Sequence, residues 1–113
     1  MILFPADILA RLAANGAASQ RAELDHQPVV KIFNPMGGAT WLLTESDPDE
    51  PDILFGLCDL GMGSPELGNV RRSELEQLRI PGRLPLERDL YFQTDKPLSH
   101  YTEQARIAQR IIA

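Results

Sequence analysis

Residues 28–44, PVVKIFNPMGGATWLLT, contain two β-prone runs separated by a glycine-containing loop. The runs at 28–33 and 39–44 are rich in β-branched and aromatic residues, which favour strands. The loop between them, 34–38, ends in two glycines that can adopt the positive φ angles of tight turns. This pattern predicts a β-hairpin.

Two more strands are predicted downstream of the hairpin. An acidic loop at 45–52 follows it and contains two prolines, which prevent further strand pairing. Residues 53–60, ILFGLCDL, predict a third strand with apolar residues on both of its faces. Helices are therefore expected to cover at least part of the sheet. Residues 66–70 predict a short fourth strand.

A first helix is predicted over residues 5–14, where apolar residues form one stripe. Asn15 and Gly16 follow it as a stop signal. Ser73 and Glu76 have the spacing of a capping box, in which the serine caps a short helix and the glutamate reaches back. The sequence thus predicts one helix before the hairpin and one after the fourth strand.

The last part of the chain predicts a C-terminal helix capped by Ser99. Apolar residues recur along it at helical spacing from Tyr101 to Ile112. The segment between these helices, 83–93, is ambiguous and suggests an edge strand. Short connections favour antiparallel neighbours.

Together, the elements predict an α+β fold. We expect an antiparallel meander sheet of three to five strands, packed by an N-terminal helix, a short middle helix and a C-terminal helix. The helices are expected on one face of a curved sheet.

Composition favours one small domain over the whole chain, 1–113. The 113 residues are 43% apolar and 24% charged, which suits a single core. The apolar runs are far shorter than a membrane helix needs, and the N-terminus lacks the basic region of a signal peptide. A single cysteine, Cys58, excludes an internal disulfide and is typical of a reducing cytosol. We therefore expect a cytoplasmic domain with no membrane contact.

Charge is distributed unevenly along the chain. The formal net charge is -5, and no Lys or Arg lies between Lys31 and Arg71. An acidic region of this kind repels nucleic acid and attracts cations or basic protein surfaces. We therefore predict binding of a basic partner surface by the acids of this region, namely Glu45, Asp47, Asp49, Glu50, Asp52 and Asp59.

A group of arginines follows the acidic region and offers a second binding hypothesis. These side chains could hold phosphate groups of a nucleic acid. The group consists of Arg71, Arg72, Arg79, Arg83 and Arg88. A simpler alternative is that the acids are solvated and the arginines fold back to neutralise them, which would weaken both binding hypotheses.

A metal-assisted hydrolase of nucleic acids is the third hypothesis. Glu45, Asp52 and Asp59 could hold a divalent ion, while Arg71 or Arg72 held phosphate. No motif with the ligand spacing of a known metal site supports this alternative. We accordingly expect no cofactor and assign no metal site from the sequence.

Several sequence runs resemble an uncharacterised bacterial family that carries only a domain-of-unknown-function label. The runs include ATWLLTE at 39–45, PDILFGLCDLG at 51–61 and PELG at 65–68. The resemblance spans nearly the whole chain. It implies a bacterial cytosolic protein in a plasmid or integrative-element setting, and it implies nothing about catalysis.

These observations lead to one expected function. We predict a non-enzymatic interaction domain of a mobile genetic element, which presents its acidic surface to a host nucleic-acid-handling protein. An acidic surface competes with nucleic acid for the same Arg/Lys groove. The metal-assisted hydrolase and a DNA-binding accessory role of the arginines remain as alternatives.

Overall fold

A computed structural model describes all residues, 1–113, and confirms the predicted α+β fold. It contains three α-helices and seven strands, of which the last three are two residues each. In chain order the elements are α1 (Ala6–Ser19), β1 (Val30–Phe33), β2 (Thr40–Ser46), β3 (Ile53–Asp59), β4 (Glu66–Arg71), α2 (Arg72–Gln77), β5 (Arg79–Ile80), β6 (Leu84–Pro85), β7 (Glu87–Arg88) and α3 (Leu98–Ala108).

Five strands form one antiparallel sheet in the order β4-β3-β2-β1-β7. The first four are a meander, as predicted, because each strand pairs with the next one in the chain. The ambiguous segment 83–93 supplies the fifth strand, in which Arg88 pairs with Ile32 and Glu87 with Phe33. Strands β5 and β6 form a separate two-stranded hairpin.

Helices cover both faces of the sheet, which corrects the prediction of a single covered face. Side chains alternate along β2, so Trp41 and Leu43 lie on one face and Leu42 on the other. The first face packs against α1 through Leu12. The second face packs against α3, where Leu42 joins a cluster with Tyr101. The apolar residues on both sides of the strands need this double cover.

Helix α1 continues past the predicted stop at Asn15 and Gly16 and ends at Ser19. Gly16 is buried, and a Cβ atom at this position would lie 1.9 Å from the main-chain oxygen of Ser46. Asn15 donates a side-chain hydrogen bond of 2.9 Å to the oxygen of Thr44. These two residues therefore dock the helix closely on β2 and do not end it.

Two serines predicted as helix caps lie inside their helices, at the second helical position. The residues that precede α2 and α3 are Arg71 and Pro97, and neither caps through its side chain. Instead, Ser73 donates its N–H and hydroxyl to the carboxylate of Asp52. Ser99 makes the same pair of bonds to Asp25. Each helix is thus capped by an aspartate from a distant loop.

None of the helices is both long and apolar enough to cross a membrane.

Candidate functional site

The acidic loop is ordered by its own carboxylates. Asp47 accepts the N–H groups of Asp49 and Glu50 at 2.8 and 3.3 Å. The N–H of Asp47 donates to the oxygen of Ile53, which closes the turn between β2 and β3. Short polar side chains often fix turns through bonds of this kind. The loop therefore presents Asp49 and Glu50 from a fixed backbone.

Arg71 neutralises one side of this loop. Its guanidinium lies 3.2 Å from Glu50 and 3.6 Å from Asp52. The hydrogen bond to Glu50 is the main cause that raises the pKa of Arg71. The hydroxyl of Ser73, followed by weaker contributions that include Arg71, lowers the pKa of Asp52. Two of the predicted binding carboxylates therefore already have partners within the molecule.

Asp59 is buried and does not belong to an exposed acidic surface. It is 1% exposed, because the C-terminal segment folds over it. One oxygen accepts the N–H of Gly61 at 2.8 Å, and the other accepts the N–H of Ile111 at 3.0 Å. This carboxylate joins the turn after β3 to the segment that follows α3, so its role is structural.

Glu45, Asp52 and Asp59 do not meet at one point. Asp52 and Asp59 lie at opposite ends of β3, on the order of 23 Å apart at the usual rise of a strand. No group of three His, Cys, Asp or Glu side chains has the geometry to hold a metal ion. The predicted arrangement for a metal-assisted hydrolase is therefore absent from this fold.

A β-bulge decides where Glu45 points. Thr44 has no Cα partner on β3, because the register between the strands shifts after Leu43. The extra residue reverses the alternation, so Glu45 lies opposite Phe55 on the second face and not beside Leu43 on the first. Glu45 is half-buried and makes no hydrogen bond or ion pair. The bulge thus turns an uncompensated carboxylate away from the core formed with α1.

Glu45 and Phe55 lie between two grooves and line both. The first groove, of about 390 Å³, runs from the end of α1 to the acidic loop and contains Asp47 and Asp49. The second, of about 560 Å³, lies between α3 and the 20–27 loop on the second face of the sheet. Because the grooves share these side chains, they form one continuous surface.

Six carboxylates line this surface, and no Lys or Arg does. Only Glu103 forms an ion pair, with Arg106. Asp25 is occupied by Ser99 as the cap of α3. We define the acidic surface as Glu23, Asp25, Glu45, Asp47, Asp49 and Glu103.

Half of the acidic surface was not predicted. Three of its acids lie far from the acidic loop along the chain, namely Glu23, Asp25 and Glu103. Only the packing of α3 and the 20–27 loop on the second face brings these three acids beside Glu45. No local pattern in the sequence contains this information.

Comparison with known proteins assigns the chain to a family. A family model described as Protein of unknown function (DUF2958) matches residues 3–112. The chain belongs to the DUF2958 family. No curated protein and no solved structure gives a significant match. The resemblance seen in the sequence is thereby confirmed at the level of a family without an assigned function.

Most arginines of the predicted phosphate-binding group are engaged within this DUF2958 domain. Arg72 lies 3.8 Å from Glu76 and 4.0 Å from Asp52. Arg79 donates to main-chain oxygens at the end of α2, and Arg88 donates to the oxygen of Ile2. With Arg71 paired to the acidic loop, only Arg83 has no partner. Four of the five guanidinium groups thus have partners within the molecule.

Cys58 lies on β3 and packs partly against the core between the sheet and α1. Burial raises the pKa of its thiol. A protonated, half-buried thiol behaves as a small apolar group, so Cys58 contributes to packing.

Proposed function

We propose that this DUF2958 domain is a non-enzymatic interaction module that binds a basic protein surface through its acidic surface. One observation carries the proposal: no Lys or Arg lines either groove, whereas Arg71 neutralises Glu50 and Asp52 on the other side of the loop. Uncompensated carboxylates attract a basic partner and steer its approach.

The grooves also offer apolar contact, which charge alone does not provide. Phe55 is half-buried beside Glu45, and Leu67 and Leu24 are about half exposed in the larger groove. Interfaces generally combine an apolar centre with a polar rim. A basic partner with apolar side chains between its cations therefore fits this surface better than a purely charged one.

The proposed setting is the bacterial cytoplasm, where the domain would be encoded by a mobile genetic element. The sequence runs that resemble the family support that setting. In such a setting, a host nucleic-acid-handling protein is the proposed partner, because its Arg/Lys groove has the required charge. The acidic surface would occupy that groove in competition with nucleic acid.

Charge reversal tests the proposal directly. We expect Asp49→Lys and Glu23→Lys each to weaken binding to bacterial DNA-binding proteins by about three- to tenfold, since a favourable charge becomes a repulsive one. Binding should also weaken when salt is raised from about 50 to 300 mM. Affinities of a panel of purified proteins at both salt concentrations provide the measurement.

Asp95→Lys is the matched control, because Asp95 is 88% exposed and lies outside both grooves. This variant has the same net charge as the two test variants and should bind almost as well as the unchanged protein. Binding that ignores salt, or that falls equally in all three variants, would refute a role for the acidic surface.

A further inference from the structure

Strand β4 forms a free edge of the sheet beside the acidic surface. It is six residues long, Glu66–Arg71, and pairs only with β3. Its charged residues, Glu66 and Arg71, lie at its two ends, and it contains no proline, no lysine and no register shift. Natural edge strands are usually protected by such features or are very short. The opposite edge, β7, has two residues and follows that rule.

The alternation of hydrogen bonds identifies which main-chain groups are free. The N–H of Arg72 donates to the oxygen of Asp52 at 2.8 Å, in register with the β3–β4 pairing. In an antiparallel pair every second residue bonds to the partner strand. Gly68 and Val70 therefore bond to β3, whereas Leu67, Asn69 and Arg71 direct their N–H and C=O groups away from it.

Two of these free residues, Leu67 and Asn69, border the grooves described above, and the side chain of Arg71 on the same face is already paired with Glu50 and Asp52. Asn69 lines the smaller groove and Leu67 the larger one, and both side chains lie on the same face of the sheet as Phe55. On the other face, nothing lies within 4 Å of the position that a Cβ of Gly68 would occupy. A strand added at this edge would meet no obstruction beside Gly68, and alternate side chains would point toward the acidic surface.

We propose that β4 accepts an extended basic segment of the partner protein as a sixth strand of the sheet. This inference builds on the proposed function and specifies how the partner binds. Main-chain bonds to Leu67 and Asn69 would give affinity, and Lys or Arg at alternate positions would face the carboxylates.

Charge selects this occupant over a second copy of the chain. A second copy also has a net charge of -5 and would bring its own uncompensated carboxylates to the same side of the joined sheet. Like charges brought together in this way oppose association. A basic segment meets no such repulsion.

A synthetic peptide of four Lys-Val repeats is a suitable probe. We expect it to bind, to perturb the amide resonances of Leu67 and Asn69, and to slow their hydrogen exchange. The same peptide with an N-methyl group on every residue keeps every charge but has no main-chain N–H left to donate along either edge. It should bind at least tenfold more weakly, and a Glu-Val version should not bind.

Variants of the protein provide the second arm. Asn69→Pro removes only an outward N–H, which edge strands tolerate, and should reduce binding of the Lys-Val peptide at least tenfold. Asn69→Ala keeps that N–H and should stay within about twofold of the unchanged protein. The two peptides compared on the unchanged protein decide the matter even if the proline variant does not fold.

The outcomes separate the two proposals. If neither basic peptide binds, both the proposed function and the edge pairing fail. If the two basic peptides bind equally well, the acidic surface binds basic segments and only the edge pairing is refuted. If sedimentation shows that the free chain is a dimer and Asn69→Pro makes it a monomer, a second copy occupies the edge and the proposed occupant is wrong.

Discussion

Asp52 joins three parts of the chain through one carboxylate. It caps α2 by accepting the N–H and hydroxyl of Ser73 at 3.0 and 2.7 Å, and it lies within ion-pair distance of Arg71. All of these contacts favour the ionised form of the side chain. Its predicted role was contact with a partner, whereas its contacts in the structure hold the loop to α2.

Replacement of Asp52 should therefore make stability less dependent on pH. The pKa of Asp52 is lowered in the folded state, so its contribution is present above the unfolded value of about 4 and is lost as the pH falls through the folded pKa. We expect Asp52→Asn to lower the Tm at pH 7. The difference from the unchanged protein should shrink below about pH 4.

Thermal unfolding followed by circular dichroism from pH 2.5 to 7 measures this effect. Asp95→Asn is the control, because that side chain is 88% exposed and its only polar contact is a solvent-exposed ion pair with Lys96 at 4.0 Å. A difference between Asp52→Asn and the unchanged protein that stays constant across the pH range would show that the contacts of Asp52 do not depend on its charge.

Packing of whole elements depends on a few close approaches. Helix α1 lies so near β2 that there is no space for a side chain at Gly16. A Cβ atom at Gly56 on β3 would likewise overlap the main-chain oxygen of Leu42. The bulge at Thr44 belongs to the same region, since its main-chain oxygen accepts the bond from Asn15. The backbone of residues 44–46 therefore sets both the position of α1 and the direction of the Glu45 side chain.

Gly16→Ala should destabilise the protein, although the same change in an ordinary helix stabilises it by about 1 kcal/mol. The new methyl group would overlap the oxygen of Ser46 and force α1 away from the sheet, at a cost of about 1–3 kcal/mol. Urea unfolding gives the free energy difference. Ala14→Gly, at an exposed position of the same helix, should cost about 1 kcal/mol.

The outcome that would contradict this account is a gain in stability from Gly16→Ala. Such a gain would mean that α1 can move away from Ser46 at no cost.

Local patterns in the sequence predict the strands but not the contacts between elements. The β-branched runs at 28–33 and 39–44 predicted the hairpin because strand preference is expressed by neighbouring residues. The local pattern at Gly16 predicts a helix stop, because its close approach to Ser46 involves a residue thirty positions away and leaves no local signal. The local pattern at Ser73 predicts a cap for the same reason, since its partner Asp52 lies in a distant loop.

The candidate site likewise combines a feature that is visible in the sequence with contacts that only the folded chain makes. An acidic region between Lys31 and Arg71 is visible in the sequence, but which acids stay uncompensated depends on where Arg71 folds. The structure pairs Arg71 with Glu50 and Asp52 and leaves Glu45 free. This selection is a property of the tertiary fold, and no spacing rule predicts it.

At the scale of the whole molecule, the proposed binding mode would make Arg71 a competitor of the basic partner for the acidic loop. Its ion pairs are exposed, so their loss should cost little stability. We expect Arg71→Gln to tighten binding of the Lys-Val peptide about two- to threefold at 50 mM salt, because Glu50 is released. The gain should disappear at 300 mM salt, where exposed charges are screened.

Titration calorimetry at the two salt concentrations tests this expectation. Arg110→Gln changes the net charge by the same amount, but Arg110 lines a different groove and forms no ion pair, so it should have a smaller effect. Equal gains from both variants would mean that only the total charge matters. Weaker binding by Arg71→Gln would show that Arg71 itself supports the partner.

The pairing of β7 with β1 has a consequence for synthesis on the ribosome. Val30–Phe33 becomes an interior strand only after residues 87–88 have emerged, although its hairpin partner β2 follows it at once. A nascent chain that has reached α2 therefore carries a meander with two open sides. Such exposed strands are prone to pair with neighbouring chains. Residues 87–88, which are synthesised late, thus cover the open edge of β1, which is synthesised much earlier.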